Sequence, residues 1–185
     1  MRYFILLFSL LFSLTCNSVA SNFNYATGFA AINEMSSKAL INAMERVDDR
    51  IYAVGEHGII IYSDDLGENW TQSDSVPFTN TLTDIDCISK EECWATGHDA
   101  TILHSNNGGK SWVKQYEDID FDAPLLSIHM YDSGEGIAIG AFALSLRTTD
   151  GGQSWGYLFM DDDDFQPHFN YAYGDSQAWR KSSAN

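Results

Sequence analysis

Three segments of the chain superpose without a gap, and each begins with a glycine and ends with a tryptophan. They are residues 55–70, 97–112 and 140–155. Their starts lie 42 and 43 residues apart, a period typical of the four-stranded blade of a β-propeller. A helical solenoid of similar period would need amphipathic helices, and the segments show no helical periodicity. The repeat therefore predicts an all-β fold built from successive blades.

Each copy contains two predicted strands. The first is a short apolar or aromatic run that ends at Gly55, Gly97 or Gly140, where we expect the chain to turn. The first strands are predicted over residues 50–54, 92–96 and 136–139, and the second strands over residues 58–62, 100–104 and 143–147.

A polar turn of fixed composition follows each second strand. Its Asp or Asn can accept hydrogen bonds from nearby backbone N–H groups, and its glycine permits a positive φ. Its tryptophan can pack under the turn and leave the indole N–H to find an acceptor. A carboxylate bonded to its own backbone is poorly placed for acid–base catalysis, so we interpret these residues as structural. They are Ser63, Asp65, Gly67 and Trp70, then Ser105, Asn107, Gly109 and Trp112, then Thr148, Asp150, Gly152 and Trp155.

The turn pattern Ser/Thr-x-Asp-x-Gly-x-x-Trp resembles the Asp-box of bacterial neuraminidase repeats. Residues 52–58 (Tyr-Ala-Val-Gly-Glu-His-Gly), 124–128 (Pro-Leu-Leu-Ser-Ile) and 134–140 (Gly-Glu-Gly-Ile-Ala-Ile-Gly) also resemble the photosystem II stability and assembly factor family and its relatives in non-photosynthetic bacteria. The resemblance covers about residues 39–179. It implies a seven-bladed, non-enzymatic propeller that helps membrane complexes assemble, with a protein partner and no cofactor.

The first twenty residues have the pattern of an export signal. A positive start at Arg2 precedes an apolar run over residues 3–14, and small residues end at Ala20. The run is shorter than the roughly 20 residues that a spanning helix needs. We therefore expect residues 1–20 to be removed, with no stable membrane insertion afterwards. Residues 21–185 are then the N-terminal part of a periplasmic or secreted propeller.

The composition restricts the kind of partner. The formal net charge is −16, which opposes binding to nucleic acid or to an acidic membrane surface. A cationic or neutral protein in a membrane or envelope complex fits this charge better.

Two cysteines, Cys87 and Cys93, follow the predicted signal. Residues 88–92 (Ile-Ser-Lys-Glu-Glu) read as a polar turn between two strands, which would bring the two sulfurs together across a hairpin. An oxidising compartment permits a disulfide there. The alternatives are two free thiols or a metal site, and no suitably spaced further ligand accompanies the pair.

Seven blades of this period would need roughly 290 residues, and 185 residues supply about three and a half. A fourth blade begins near residues 170–180, with Trp179 in phase, but Ser182 stands where a glycine is expected. We therefore expect a truncated or frameshifted product, for which loss of function is one alternative, or a half-propeller that pairs with another copy.

Several polar clusters are candidates for ligand binding. Residues 161–164 are four consecutive aspartates, whereas calcium loops space their ligands alternately, so a solvated loop is expected. Asp118, Asp120 and Asp122 do alternate and are a candidate metal site, but Ile119 and Phe121 between them favour a half-exposed strand or loop edge. The histidines at 57, 98, 104, 129 and 168 are scattered. His57 and His98 both follow a strand-ending glycine and could hold a metal or ligand on one rim, but turn histidines exposed to water are the expectation.

A sialidase-like glycoside hydrolase is the alternative function. It would require an arginine cluster for the substrate carboxylate and a Tyr–Glu nucleophile pair. Glu56 and Glu135 are available as acids. Four arginines follow the predicted signal, at 46, 50, 147 and 180, which makes the cluster difficult to build. The sequence thus favours a non-enzymatic interaction or assembly scaffold.

Overall fold

The computed structural model describes residues 28–158. These residues form three four-stranded antiparallel sheets, in each of which the strands are neighbours in chain order. Each sheet is one blade of a β-propeller. Blade 1 contains β1 (Ile41–Val47), β2 (Arg50–Gly55), β3 (Ile60–Ser63) and β4 (Thr71–Gln72). Blade 2 contains β5 (Leu82–Cys87), β6 (Cys93–Gly97), β7 (Ile102–Ser105) and β8 (Val113–Tyr116). Blade 3 contains β9 (Leu125–Met130), β10 (Gly136–Gly140), β11 (Ser145–Thr148) and β12 (Gly156–Tyr157).

Alternating side chains of the strands fill the seams between blades. Tyr52 and Val54 of β2 pack into the core between blades 1 and 2, whereas Ala53 points to the opposite face of blade 1. Cys93 and Ala95 of β6 belong to the same first seam. The core between blades 2 and 3 is separate and contains Trp94, Ala100, Ile102, Leu125, Ile128, Ala138, Leu146 and Trp155. Blade 2 is thus packed on both faces, which explains why β6 is apolar and buried along its whole length.

The inner strands β1, β5 and β9 lie side by side, and polar side chains join them. The Asn42 amide donates to the Leu82 carbonyl at 2.7 Å. One blade further on, the Thr83 hydroxyl donates to the Leu125 carbonyl at 2.6 Å. Both donors lie at the bulge where the inner strand changes register. Neighbouring blades are therefore held by directional bonds as well as by apolar packing.

The predicted second strands begin two residues too early, because the turn lies later than predicted. Gly55 and Gly140 have extended backbones. The chain turns two residues later, at His57, Asp99 and Phe142, which have φ of 57°, 56° and 55°. Each strand-ending glycine is instead needed for close packing, since a Cβ at Gly55 would overlap the carbonyl oxygen of Leu40.

Four predictions lie outside the described residues. They are the signal segment at 1–20, the fourth blade near 170–180 with its interruption at Ser182, the aspartates at 161–164, and His168.

Candidate functional site

The three box turns, residues 63–70, 105–112 and 148–155, connect the third and fourth strands of their blades. The hydroxyl of their first residue accepts a hydrogen bond from the box-glycine N–H four residues later. The donor–acceptor distances are 2.8 Å for Ser63, 3.0 Å for Ser105 and 2.8 Å for Thr148. All three side chains are buried. The box glycines have φ of 94°, 75° and 80°, a region in which a side chain is strained.

The acceptor at the third position closes each turn. Asp65, Asn107 and Asp150 accept the backbone N–H four residues later, at 2.8, 3.1 and 2.9 Å. Hydrogen bonds from Asn69 and from the Ser63 hydroxyl lower the pKa of Asp65 to about 2. Bonds from Ser154 lower the pKa of Asp150 in the same way. A carboxylate stabilised in its charged form by these donors is a poor general base near neutral pH.

The box tryptophans differ in their surroundings. Trp112 packs in the core between blades 1 and 2, and its indole N–H donates to the Ser73 hydroxyl and the Gly109 carbonyl, both at 3.2 Å. Trp155 is buried in the core between blades 2 and 3, and no acceptor for its indole nitrogen lies among residues 28–158. Trp70 packs on the outer face of blade 1 and is only partly buried. Each box tryptophan of blades 2 and 3 therefore closes the seam to the preceding blade.

The residue three positions after a box tryptophan reaches the next box turn. The Ser73 hydroxyl donates to the Gly109 carbonyl at 2.5 Å, and the Gln115 amide donates to the Gly151 carbonyl at 2.9 Å. Neither Ser73 nor Gln115 was predicted from the sequence to have this role. Their common spacing from Trp70 and Trp112 is a signal that could have revealed them.

Arg50 adds a further link that the sequence did not suggest. Its guanidinium makes two bonds to the Asp64 carboxylate, at 2.6 and 2.8 Å, and a third to the Gly108 carbonyl at 2.8 Å. It also lies over the Tyr62 ring, with 4.7 Å from Cζ to the ring centroid. The ion pair lowers the pKa of Asp64. Arg50 thus joins the first and second box turns.

A disulfide joins Cys87 and Cys93. The two cysteines are directly opposite each other on β5 and β6, at the last residue pair before the turn over residues 88–92. Cys93 is fully buried in the first seam. The bond therefore closes the inner hairpin of blade 2 at the end opposite to Gly97.

The candidate metal ligands are separated by their roles in the fold. Asp118 accepts the Tyr157 hydroxyl at 2.9 Å and the Phe121 N–H at 3.1 Å, whereas Asp120 is exposed. Among residues 28–158, no three His, Cys, Asp or Glu side chains are grouped as metal ligands would be. His57 and His98 occupy different positions in equivalent turns of blades 1 and 2.

The arginines within the described residues do not form the cluster that a sialidase would need. Arg46 donates to the Asp48 carbonyl at 2.8 Å, and Arg50 binds Asp64 in blade 1. Arg147, in blade 3, pairs with Glu135. That acid is one of the two considered for catalysis.

Within residues 28–158, no helix has the length and hydropathy to cross a membrane.

Comparison with known proteins agrees with this architecture. The family model described as "Photosynthesis system II assembly factor YCF48" matches residues 72–167, just over half of the chain. Two solved structures share the fold. One is "YCF48 bound to D1 peptide", with 23% identity, a TM-score of 0.58, and coverage of 72% of this chain and 45% of that one. The other is "YCF48 from Cyanidioschyzon merolae", with 18% identity, a TM-score of 0.56, and coverage of 66% and 38%.

Two curated relatives match over a shorter stretch. They are the chloroplastic photosystem II stability/assembly factor HCF136 of Oryza sativa subsp. japonica and that of Arabidopsis thaliana, each 32% identical over 59 residues. The match covers 32% of this chain but only 14% and 15% of the relatives' lengths. The family model, the blade architecture and the in-phase box turns agree, and the chain belongs to the photosystem II assembly factor YCF48 family.

Proposed function

We propose that this protein is an exported, non-enzymatic scaffold that binds a protein partner belonging to a membrane or envelope complex. The match of the family model over residues 72–167 carries the proposal. One structure of similar fold is described as bound to a D1 peptide, which supports a polypeptide as the ligand class. The predicted signal at residues 1–20 supports export to the periplasm or the medium.

The chemistry of the described residues supports binding over catalysis. The carboxylates of Asp65 and Asp150 are engaged by their own box turns. The described arginines are each paired in different places, which leaves no cluster for a substrate carboxylate. Propellers present loops around a ring, and such loops are suited to holding a partner.

Capture of a partner tests the scaffold role. Tagged protein is incubated with detergent-solubilised membranes of its host, and retained proteins are identified by mass spectrometry. We expect a membrane or envelope protein to be enriched over a Trp112→Ala variant, in which the first seam is disrupted. Recovery of no such protein, together with turnover of a sialoside by the same preparation, would reverse the assignment in favour of a hydrolase.

Export is tested separately. The full chain with a C-terminal tag is expressed in its host, and the tagged product is isolated from periplasm, medium and cytoplasm. We expect it outside the cytoplasm, with an N-terminus following Ala20. A product that stays in the cytoplasm and retains Met1 would contradict export without affecting the binding role.

A further inference from the structure

The connection between blades 2 and 3 brings three loops to one edge of the molecule. The linker after β8 bonds to the β6–β7 turn through Asp118 N–H to the Asp99 carbonyl, at 3.1 Å. Its end bonds to the β10–β11 turn through Ala141 N–H to the Pro124 carbonyl, at 3.0 Å. We call this surface the linker rim and define it as residues 98–100, 117–123 and 141–143.

Two large apolar side chains project from the linker rim. Phe142 is 82% exposed and Ile119 is 66% exposed. The positions equivalent to Phe142 in blades 1 and 2 are His57 and Asp99, so the turn itself does not require an aromatic residue. All three have a positive φ, which is costly for a bulky side chain. Phe142 therefore has an unfavourable backbone conformation and exposes an apolar ring to water. With 82% of the residue exposed, little of the ring is buried in the fold.

The same rim is strongly acidic. Residues 117–122 contain four acids, and no Lys or Arg occurs between Lys114 and Arg147. Glu117 pairs with Lys114, and Asp118 is held by Tyr157. Within the described residues, no hydrogen bond or ion pair engages the exposed carboxylates of Asp120 and Asp122. Their charge is thus available to a ligand.

We propose that the linker rim binds a cationic peptide segment that carries apolar side chains, supplied by the protein partner. The proposal rests on the scaffold role and specifies its surface. Lys or Arg side chains of the segment would face Asp120 and Asp122, and an apolar side chain would cover Phe142 and Ile119. Apolar burial supplies most of the affinity, and the opposite charges supply orientation and speed of association. An acidic membrane surface would be repelled by the same carboxylates.

The direct test uses fluorescent short peptides and the whole protein. An alternating Lys–Leu peptide is the probe, a Glu–Leu peptide has the opposite charge, and a Lys–Ser peptide lacks the apolar side chains. We expect binding of the Lys–Leu peptide only. Phe142→Asn should weaken it about tenfold, the equivalent of about 1.4 kcal/mol. The paired change Asp120→Asn with Asp122→Asn should weaken it by about threefold at low salt and by little at high salt.

Matched controls come from another part of the chain. Leu66 is also an exposed apolar residue, at 56%, with a positive φ of 60°, but it lies in the first box turn. Leu66→Asn makes the same change as Phe142→Asn and should leave peptide binding unchanged. Asp48→Asn is the charge control, because Asp48 is an exposed acid with a positive φ in the β1–β2 turn. Circular dichroism checks that all variants keep the native spectrum.

Three results would overturn the proposal. One is equal binding by the wild type and Phe142→Asn, and another is tight binding of the Glu–Leu peptide. The third is self-association of the protein that Phe142→Asn abolishes, which would assign the rim to a second copy.

Phe142→Asn is also used in the capture experiment. If this variant recovers the membrane partner in full, the linker rim is not the binding surface, and the scaffold role still holds. Peptide binding without any captured partner refutes the scaffold role alone.

Discussion

The box turns and the linker rim use the same kinds of residue in opposite ways. In the box turns, Asp65 and Asp150 accept hydrogen bonds from nearby residues, and Trp112 is buried with its N–H bonded. In the linker rim, the Asp120 carboxylate has no such bond among the described residues, and Phe142 is the most exposed large apolar residue there. The box residues recur in each blade, whereas Phe142 departs from the polar residues at its equivalent positions. The residues that recur in each blade therefore stabilise the blades. A residue that departs from the repeat, as Phe142 does, indicates a role other than holding the blades together.

The largest expected effect is the loss of the Trp112 ring. Trp112→Ala removes a buried aromatic side chain from the first seam and leaves a cavity. We therefore expect the free energy of unfolding to fall by about 3–5 kcal/mol. Trp70→Ala is the matched control, since Trp70 has the same place in its box but is only partly buried. Urea titration followed by circular dichroism measures both. Equal losses would show that burial in the seam is not what distinguishes the two boxes.

The hydroxyl of the second box should have the next largest effect. Ser105→Ala leaves the buried Gly109 N–H without its acceptor, which costs about 1–3 kcal/mol of unfolding free energy. Ser105→Thr keeps the hydroxyl, as Thr148 does in the third box, and should lose much less. The same urea titration compares the two variants. A Thr variant as unstable as the Ala variant would mean that shape at this position matters more than the bond.

The sequence was sufficient for the blade architecture because its signals are local and repeated. The strands at Arg50–Gly55, Cys93–Gly97 and Gly136–Gly140 lie where the apolar runs predicted them, to within one residue at either end. The box turns fall between the third and fourth strands of each blade. These features depend on side-chain alternation and on turn chemistry, and both can be read within a few residues.

Contacts between segments that are distant in the sequence could not be predicted in this way. Gly55 was interpreted as a turn residue, but its requirement comes from the carbonyl of Leu40, the residue before β1 in the same blade. Ser73 and Gln115 each bond to a carbonyl 36 residues away. Their residue types differ, so only the position three residues after tryptophan is shared. The exposure of Phe142 likewise depends on how the linker crosses between blades.

Lowering the pH should reduce the stability of a box turn whose third residue is an aspartate, and should not act through a third residue that is an asparagine. The pKa of Asp65 is lowered to about 2, against roughly 3.9 in an unfolded chain. Its stabilising contribution is therefore present above about pH 4 and is lost as the pH falls towards about 2. Asp150 acts in the same direction, whereas Asn107 does not titrate.

The variants Asp65→Asn and Asp150→Asn convert the first and third boxes to the type of the second. We expect the combined variant to lose stability less steeply between about pH 4 and pH 2 than the wild type does. Urea midpoints at several pH values measure the slope. Asn107→Asp is the reciprocal change and should steepen it. An unchanged slope in both directions would assign the acid sensitivity to groups outside the box turns.

The smallest expected effect on stability is at the linker rim. Phe142→Asn removes an exposed ring and places at a positive φ a residue that tolerates it, so the free energy of unfolding should change by less than about 0.5 kcal/mol. The urea titration used for Trp112→Ala measures it. A loss above about 2 kcal/mol would mean that Phe142 supports the fold, and the contrast between rim and box turns would then fail. A small change together with weaker Lys–Leu peptide binding would separate the residue that binds from the residues that hold the blades together.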